Sequence, residues 1–339
     1  MPDAQLLPIP GFVDLQVNGY LGVDFSSPEL TLEDCAAACR ALLRAGTAAF
    51  LPTLITSPLE IYRRNLPLLA KVLDLPEFRG CLPGIHLEGP FISSVSGAVG
   101  AHNPAWVRPP DPDLLAQLNE WAGGRVRLLT LAAELPGAQE TARRATALGI
   151  LVSVGHTLAA PEDLERLWQA GASALTHLGN GLPPLLPKFA NPLWAGLADE
   201  RYTAMFIGDG HHIPAGILKA MLRAKGLERC LVVSDAAPLA GLPPGPYRTL
   251  GNNVILEPSG RLSNPEKGHL VGSSYTLLRC MNFLASLDCW RLEELLALGF
   301  ANPLRLLGIT PESLPSASKL YYDPLRLEFC LHPDLIQPD

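Results

Sequence analysis

The chain has 339 residues, enough for one barrel of roughly 250 residues with additions. Hydrophobic residues make up 48% and charged residues 17%, so a large core is within reach, and the formal charge of −7 argues against nucleic acid, whose binding faces are basic. No apolar run approaches the roughly 18 residues of a membrane span, the N-terminal MPDAQLLPIPGF lacks a basic n-region with an apolar h-region, and seven cysteines without a CxxC pair read as reduced thiols of a cytoplasmic protein.

In chain order, strands are predicted at 11–18 (GFVDLQVN), 47–55, 81–89, 126–134, 150–157, 173–180, 202–210 and 230–237. Helices fall between them at 31–45, 58–74, 111–122, 137–148, 160–171 and 214–226, with a short one near 192–198. Thr31 before Leu-Glu-Asp and Pro161 before Glu162 and Asp163 are helix starts, and Gly46, Gly149, Gly171 and Gly226 stand at helix ends. Eight near-continuous apolar strands with intervening helices imply a parallel sheet buried on both faces, and eight is the number that closes a (β/α)8 barrel. A doubly wound open sheet is the alternative, but no GxGxxG follows the first strand. Residues 243–271, rich in Gly, Pro and Asn, read as a β excursion. Helices at 275–287 and 291–299 and the segment ANPLRLLGI close the barrel unit at 308, leaving 309–339 as a C-terminal tail.

In a barrel the active site lies at the C-terminal ends of the strands. Here those ends carry Asp14, Gln16 and Asn18; His86 and Glu88; His156; His177 with Asn180 after it; Asp209, His211 and His212; and Asp235. Five of the eight histidines lie at strand ends and a sixth, His102, follows the third strand. Each alone has a bland reading: Glu88 is a solvated strand end or a ligand, and Asp209 before Gly210 makes a turn. Their convergence on one rim favours chemistry. Two imidazoles and a carboxylate from three strands make a site for a divalent metal, most simply Zn²⁺, with a position left for water. Such an ion lowers the pKa of water from 15.7 towards about 7, and Asp235 is the candidate base that takes its proton and passes it to the leaving group.

The segments PGFVDLQVNG (10–19), HLEGPF (86–91), GAHNP (100–104), VGHT (154–157), THLGN (176–180), IGDGHH (207–212), SDAAPLAG (234–241), LVGSS (270–274) and ANPLRLLGI (301–309) resemble, in order over about 300 residues, the N-acetylglucosamine-6-phosphate deacetylases of the amidohydrolase superfamily. The resemblance implies a (β/α)8 metal-dependent hydrolase barrel, a small β domain, a homodimer and an amino-sugar substrate. It implies that Glu88, His156 and His177 hold one metal ion, with Fe²⁺, Co²⁺ or Mn²⁺ as alternatives to Zn²⁺. Asp235 matches the catalytic aspartate. Gln16 and Asn18 stand where many amidohydrolases have His-x-His, as in single-metal members, and His86 is expected to orient Glu88. His102 and His212 match substrate-contacting histidines, and Asn180 and Gly181 match main-chain contacts to the sugar.

The sequence also departs from the family. About ten residues precede the first strand where members carry roughly fifty, and SKLYYDPLRLEFCLHPD lacks the usual closing β segment, so the small β domain is expected to be reduced or missing, with 309–339 as its remnant. Lys188 replaces a phosphate-binding arginine and is expected to meet the phosphate as a point charge without the bidentate fork. The loop 93–100 is uncharged where members often carry lysines. The expected reaction is therefore deacetylation of N-acetylglucosamine 6-phosphate. The alternatives are an unphosphorylated N-acyl sugar or an N-acyl amino acid as substrate, and a non-catalytic binding barrel.

Overall fold

The apolar runs of the sequence become eight parallel strands, β1 Phe12–Val17, β2 Thr47–Ile55, β3 Ile85–Glu88, β4 Val126–Leu131, β5 Leu151–Val154, β6 Ala172–Leu175, β7 Thr203–Ile207 and β8 Cys230–Val233, paired in sequence order in a computed structural model that describes residues 6–315 and 320–331. The seam between β8 and β1 is drawn together just beyond β8, where Asn18 N–H donates to Ala236 O at 2.8 Å and Ser234 N–H donates to the Asp14 carboxylate at 3.1 Å. Seven helices return the chain between the strands: Leu32–Arg44, Leu59–Leu73, Pro112–Trp121, Ala138–Ala147, Pro161–Gln169, Pro192–Ala198 and Ala215–Lys225. Thr31 accepts the Asp34 N–H as an N-cap, and Asp163 reaches back to the Ala160 N–H at 2.8 Å. Every strand but β2 ends earlier than the sequence suggests, β5, β6 and β8 at Val154, Leu175 and Val233. His156, His177 and Asp235 beyond them sit at φ 49°, 29° and 50°, which no strand residue adopts.

The barrel interior is layered. Val13, Leu15, Ala49, Leu51, Leu128 and Met205 fill the lower lumen, stopped beneath by Leu304 and Leu307 of the helix Asn302–Leu307. Above them lies a belt of hydroxyls and one imidazole: Thr53, His86, Thr130, Ser153 and Thr176, joined by hydrogen bonds of 2.6–3.4 Å. The polar rim sits on this belt. In β1, Asp14 pairs with Phe50 and Val17 with Pro52, so the strand carries one extra residue there, a bulge that breaks its alternation just below Gln16.

After β8 the chain forms a four-stranded antiparallel sheet, Gly245–Thr249, Asn252–Leu256, Leu262–Asn264 and His269–Leu270, within the expected excursion. Helices Leu277–Ser286 and Leu292–Leu296 lead through a π turn at Ala297–Ala301 into Asn302–Leu307. Leu7–Ile9 pairs antiparallel with Leu320–Asp323, which pairs with Glu328–Leu331, and Phe329 packs edge-on to Phe12 with ring centroids 5.1 Å apart. The expected tail thus holds two strands at 320–331, while residues 316–319 and 332–339 of it lie outside the described residues. No helix among the described residues is long and apolar enough to cross a membrane.

Candidate active site

Glu88 ends β3 with its carboxylate fully inside the rim. Three nitrogens from three other elements converge on its Oε1: Gln16 Nε2 at 2.8 Å, His177 Nε2 at 2.8 Å and His156 Nε2 at 3.2 Å. His102 Nε2 stands 3.8 Å from Oε2. Ligand atoms of Glu88, His156 and His177 all lie within 4.8 Å of one another. Left-handed backbone at His156 and His177 is strained for a side chain; here it turns both rings off the strand ends into the same space.

The donor set fits a cation. His156 Nδ1 is 2.7 Å from Ala98 O, which can only accept, so Nδ1 carries the proton. That turns Nε2 to Glu88 Oε1 beside His177 Nε2, two imidazole nitrogens and a carboxylate oxygen placed as ligands of one cation. His177 Nδ1, Gln16 Oε1 and Asn18 Oδ1 are buried polar atoms without a protein partner. Gly100 and Gly181 hold His156 from either side: a Cβ on Gly181, at φ +60°, would lie 2.7 Å from its Nδ1, and one on Gly100 2.9 Å from its Cε1.

Burial pushes the Glu88 carboxyl up, but the imidazoles of His156 and His177 beside it outweigh this and hold it well below the usual range. Burial, then His156, lowers His102 to about 3, so it is neutral; its Nδ1 accepts the Thr56 N–H at 3.3 Å. Burial lowers His177, and Glu88 more than reverses this. Asp235 lies across the rim, where Asn18 Nδ2 and Gln16 Nε2 donate to its Oδ1 at 2.7 and 3.1 Å. Burial and then the charge of Glu88 raise its carboxyl to about 6.

Asn18, Glu88, His102, His156, His177, Asn180, Gly181, His212 and Asp235 share one cavity of about 840 Å³. Gln16 lies beneath it, bridging Glu88 and Asp235. His86 is buried one layer lower: its Nε2 bonds Thr130 at 2.8 Å and its Nδ1 faces Thr53 at 3.4 Å, so its hydrogen bonds run along the belt and not to Glu88. Lys188 does not line the cavity; it is exposed, with its Nζ 5.1 Å from the Phe189 ring centroid. Asp209, which the sequence offered as a turn residue, also takes the His212 Nδ1–H on its Oδ2 at 2.8 Å, a role that the i,i+3 spacing signals. Lys267 escaped the sequence reading: it lines the cavity from the excursion sheet, which no local signal foretells.

A parallel eight-stranded barrel with a buried Glu/His/His cluster at its C-terminal rim defines the class, a (β/α)8 barrel of the amidohydrolase type. No protein-family model matches the chain. It is 37% identical over 313 residues, 88% of this chain and 74% of the relative's length, to N-acetylglucosamine-6-phosphate deacetylase of Bos taurus, and it belongs to the N-acetylglucosamine-6-phosphate deacetylase family. It is also 30% identical over 308 residues, 91% of this chain and 79% of the relative, to N-acetylgalactosamine-6-phosphate deacetylase of Escherichia coli O157:H7. Among solved structures, an N-acetyl-D-glucosamine-6-phosphate deacetylase variant from Mycobacterium smegmatis in complex with N-acetyl-D-glucosamine-6-phosphate superposes with a TM-score of 0.83 at 26% identity, covering 97% of this chain and 87% of that one.

Proposed function

We propose that this chain hydrolyses the N-acetyl group of N-acetylglucosamine 6-phosphate, giving glucosamine 6-phosphate and acetate. The observation that carries this reading is the convergence of two imidazole nitrogens on Glu88 Oε1, with Asp235 facing the same cavity. Glu88, His156 and His177 hold one divalent ion; a carboxylate with two imidazoles suits Zn²⁺, and Fe²⁺, Co²⁺ or Mn²⁺ accept the same donors. Such an ion supplies Lewis acidity to the substrate carbonyl and makes a water it holds more acidic.

The chain's own groups do the rest. Asp235 Oδ1 is taken by Asn18 and Gln16, which leaves Oδ2 to accept a proton from the attacking water and return it to the departing amine nitrogen. Burial raises this carboxyl, which eases uptake of the proton it later returns. His212, its Nδ1–H committed to Asp209, offers Nε2 to the sugar. His102 is held neutral beside the acyl end, and Asn180 and Gly181 offer main-chain groups to the sugar. His86 braces the belt under Glu88. Residues 1–308 form the catalytic unit, and 309–339 are the remnant of a small β domain. The enzyme works as a cytoplasmic homodimer, a reading supported by family membership.

The 30% identity to an N-acetylgalactosamine-6-phosphate deacetylase favours one second reading, the C4 epimer as substrate. Acetate release from both phosphorylated epimers, from N-acetylglucosamine and from N-acetyl amino acids tests the assignment. Turnover confined to an unphosphorylated or non-sugar amide would overturn it.

A further inference from the structure

We infer that Glu134, just beyond β4 and outside the cavity lining, is a positioning residue that sets the aim of His156 at the metal site. The inference rests on the reading of His156 as a ligand and not on the identity of the substrate.

His156 leaves its strand abruptly. Val154 is the last residue of β5 that pairs with β4, and the Gly155 N–H still donates to Leu131 O at 3.1 Å. At His156 the backbone turns to φ 49°, and its carbonyl accepts the Ser93 N–H at 2.9 Å. Left-handed backbone under a side chain persists only where the surroundings fix it. The next two residues are where it is fixed. The buried Thr157 hydroxyl accepts the N–H groups of Ala133 at 3.2 Å and Ala159 at 3.1 Å, which leaves its own proton one outlet, the Glu134 carboxylate. The other Glu134 oxygen accepts the Leu158 N–H at 2.8 Å. One carboxylate therefore clamps both residues that follow the ligand, while Ala98 O holds the ring itself at Nδ1. Glu134 is half-buried and makes no ion pair among the described residues, so its acceptors serve this turn. Only a carboxylate satisfies both donors. In Glu134→Gln, either orientation of the amide sets its NH2 group against the Leu158 N–H or against a hydroxyl that already accepts twice.

Loss of such support for a ligand should weaken metal binding by about 10- to 100-fold. The test compares wild type, Glu134→Gln, Thr157→Val, Thr157→Ser and the double variant of Glu134→Gln with Thr157→Val. Each is stripped of metal and titrated with Co²⁺ against a chromophoric chelator. The visible spectrum at saturating Co²⁺ reads ligand geometry without turnover, and the unfolding midpoint of the metal-free form reads what the clamp adds to the fold. Glu134→Gln and Thr157→Val are expected to lose affinity by that factor and to shift the spectrum, whereas Thr157→Ser, which keeps the hydroxyl, retains most of it. The double variant should lose less than the product of the two single losses, because both break one chain of contacts. Should Glu134→Gln fail to fold, the contrast of Thr157→Val with Thr157→Ser decides alone. A lower midpoint with wild-type affinity and spectrum would leave Glu134 a structural role only and overturn the inference. So would losses that simply multiply, or wild type that binds no Co²⁺. If Glu134→Gln loses Co²⁺ affinity as expected but wild type releases no acetate from N-acetylglucosamine 6-phosphate, the deacetylase reading fails and the inference stands.

Discussion

Asn18 Nδ2 lies 2.7 Å from Asp235 Oδ1, tying the first residue after β1 to the second residue beyond β8. The contact spans the barrel seam and fixes which oxygen of Asp235 faces the cavity. It also gives the Gln-x-Asn pair a role other than ligation: both amides donate to carboxylates, and Gln16 bridges Glu88 and Asp235. Asn18→Ala should free Asp235 to rotate and lower kcat by about 10-fold or more, the worth of a hydrogen bond to a charged group, with metal content unchanged. An unaltered kcat would mean that the amide does not steer Asp235.

The metal reading predicts about one equivalent of divalent ion in protein purified without chelator, since the three ligands form one cluster and the two β1 amides are committed to carboxylates. His177→Ala should lose the ion, and chelation of wild type should lower its unfolding midpoint, because bound metal stabilises the folded state by mass action. Two tightly held equivalents by elemental analysis would contradict the single cluster.

The barrel was legible because parallel strands buried on both faces leave long apolar runs such as TAAFLPTLI, and glycines mark where helices hand over to them. The rim was legible because polar residues at the ends of such runs have little other reason to be there. Other features depend on tertiary placement. Leu7–Ile9 and Leu320–Asp323 are short and pair across some three hundred residues, so neither announces its partner. His86 shares a strand face with Glu88, yet its partners Thr130 and Thr53 come from neighbouring strands. Lys188 matches a phosphate contact by its position in the motif and stands outside the cavity lining, whereas Lys267 meets the cavity only because the excursion sheet folds over the rim.

Gly181→Ala tests the packing around His156. The left-handed φ of +60° strains any side chain, at a cost of about 1–3 kcal/mol. The new methyl would also press on His156 Nδ1, the atom that donates to Ala98 O. The variant should bind metal about 10- to 100-fold more weakly, as expected when a ligand's supporting hydrogen bond is disturbed. Wild-type metal affinity measured by competition with a chromophoric chelator would refute this.

Asp14 predicts a pH dependence of stability. Burial raises its carboxyl to about 7, against the hydrogen bonds of Ser234 and Gln16 and with a small push from Asp235. Its unfolded value is about 4. Between these values the folded chain keeps a proton that the unfolded chain has released, so this group's contribution is full below about pH 4 and is lost as pH rises through about 7. Asp14→Asn keeps an oxygen to accept the Ser234 and Gln16 N–H groups and removes the titration. Urea unfolding at a series of pH values should show the variant gaining on wild type from pH 5 to pH 8; a constant difference over that range would exclude the assignment.

Asp235→Asn separates chemistry from architecture. The amide oxygen can occupy the place of Oδ1 and still accept from Asn18 and Gln16, so the seam, the metal cluster and the cavity should be kept. What is lost is the ability to accept a proton from water and to deliver it to the amine. Loss of general base catalysis lowers rates by about 10²–10⁴-fold, and the fall should appear in kcat with KM little changed. The pH profile gives a second, independent readout. In wild type, kcat/KM should fall on the acid side as Asp235 takes up a proton, with the carboxyl at about 6 before a bound cation draws it lower. The residual activity of Asp235→Asn should lack that acid limb, because the group that titrates is gone. A residue that only braced the rim would lower activity at every pH and leave the shape of the profile intact. Near-normal turnover in Asp235→Asn would show that the proton passes through some other group.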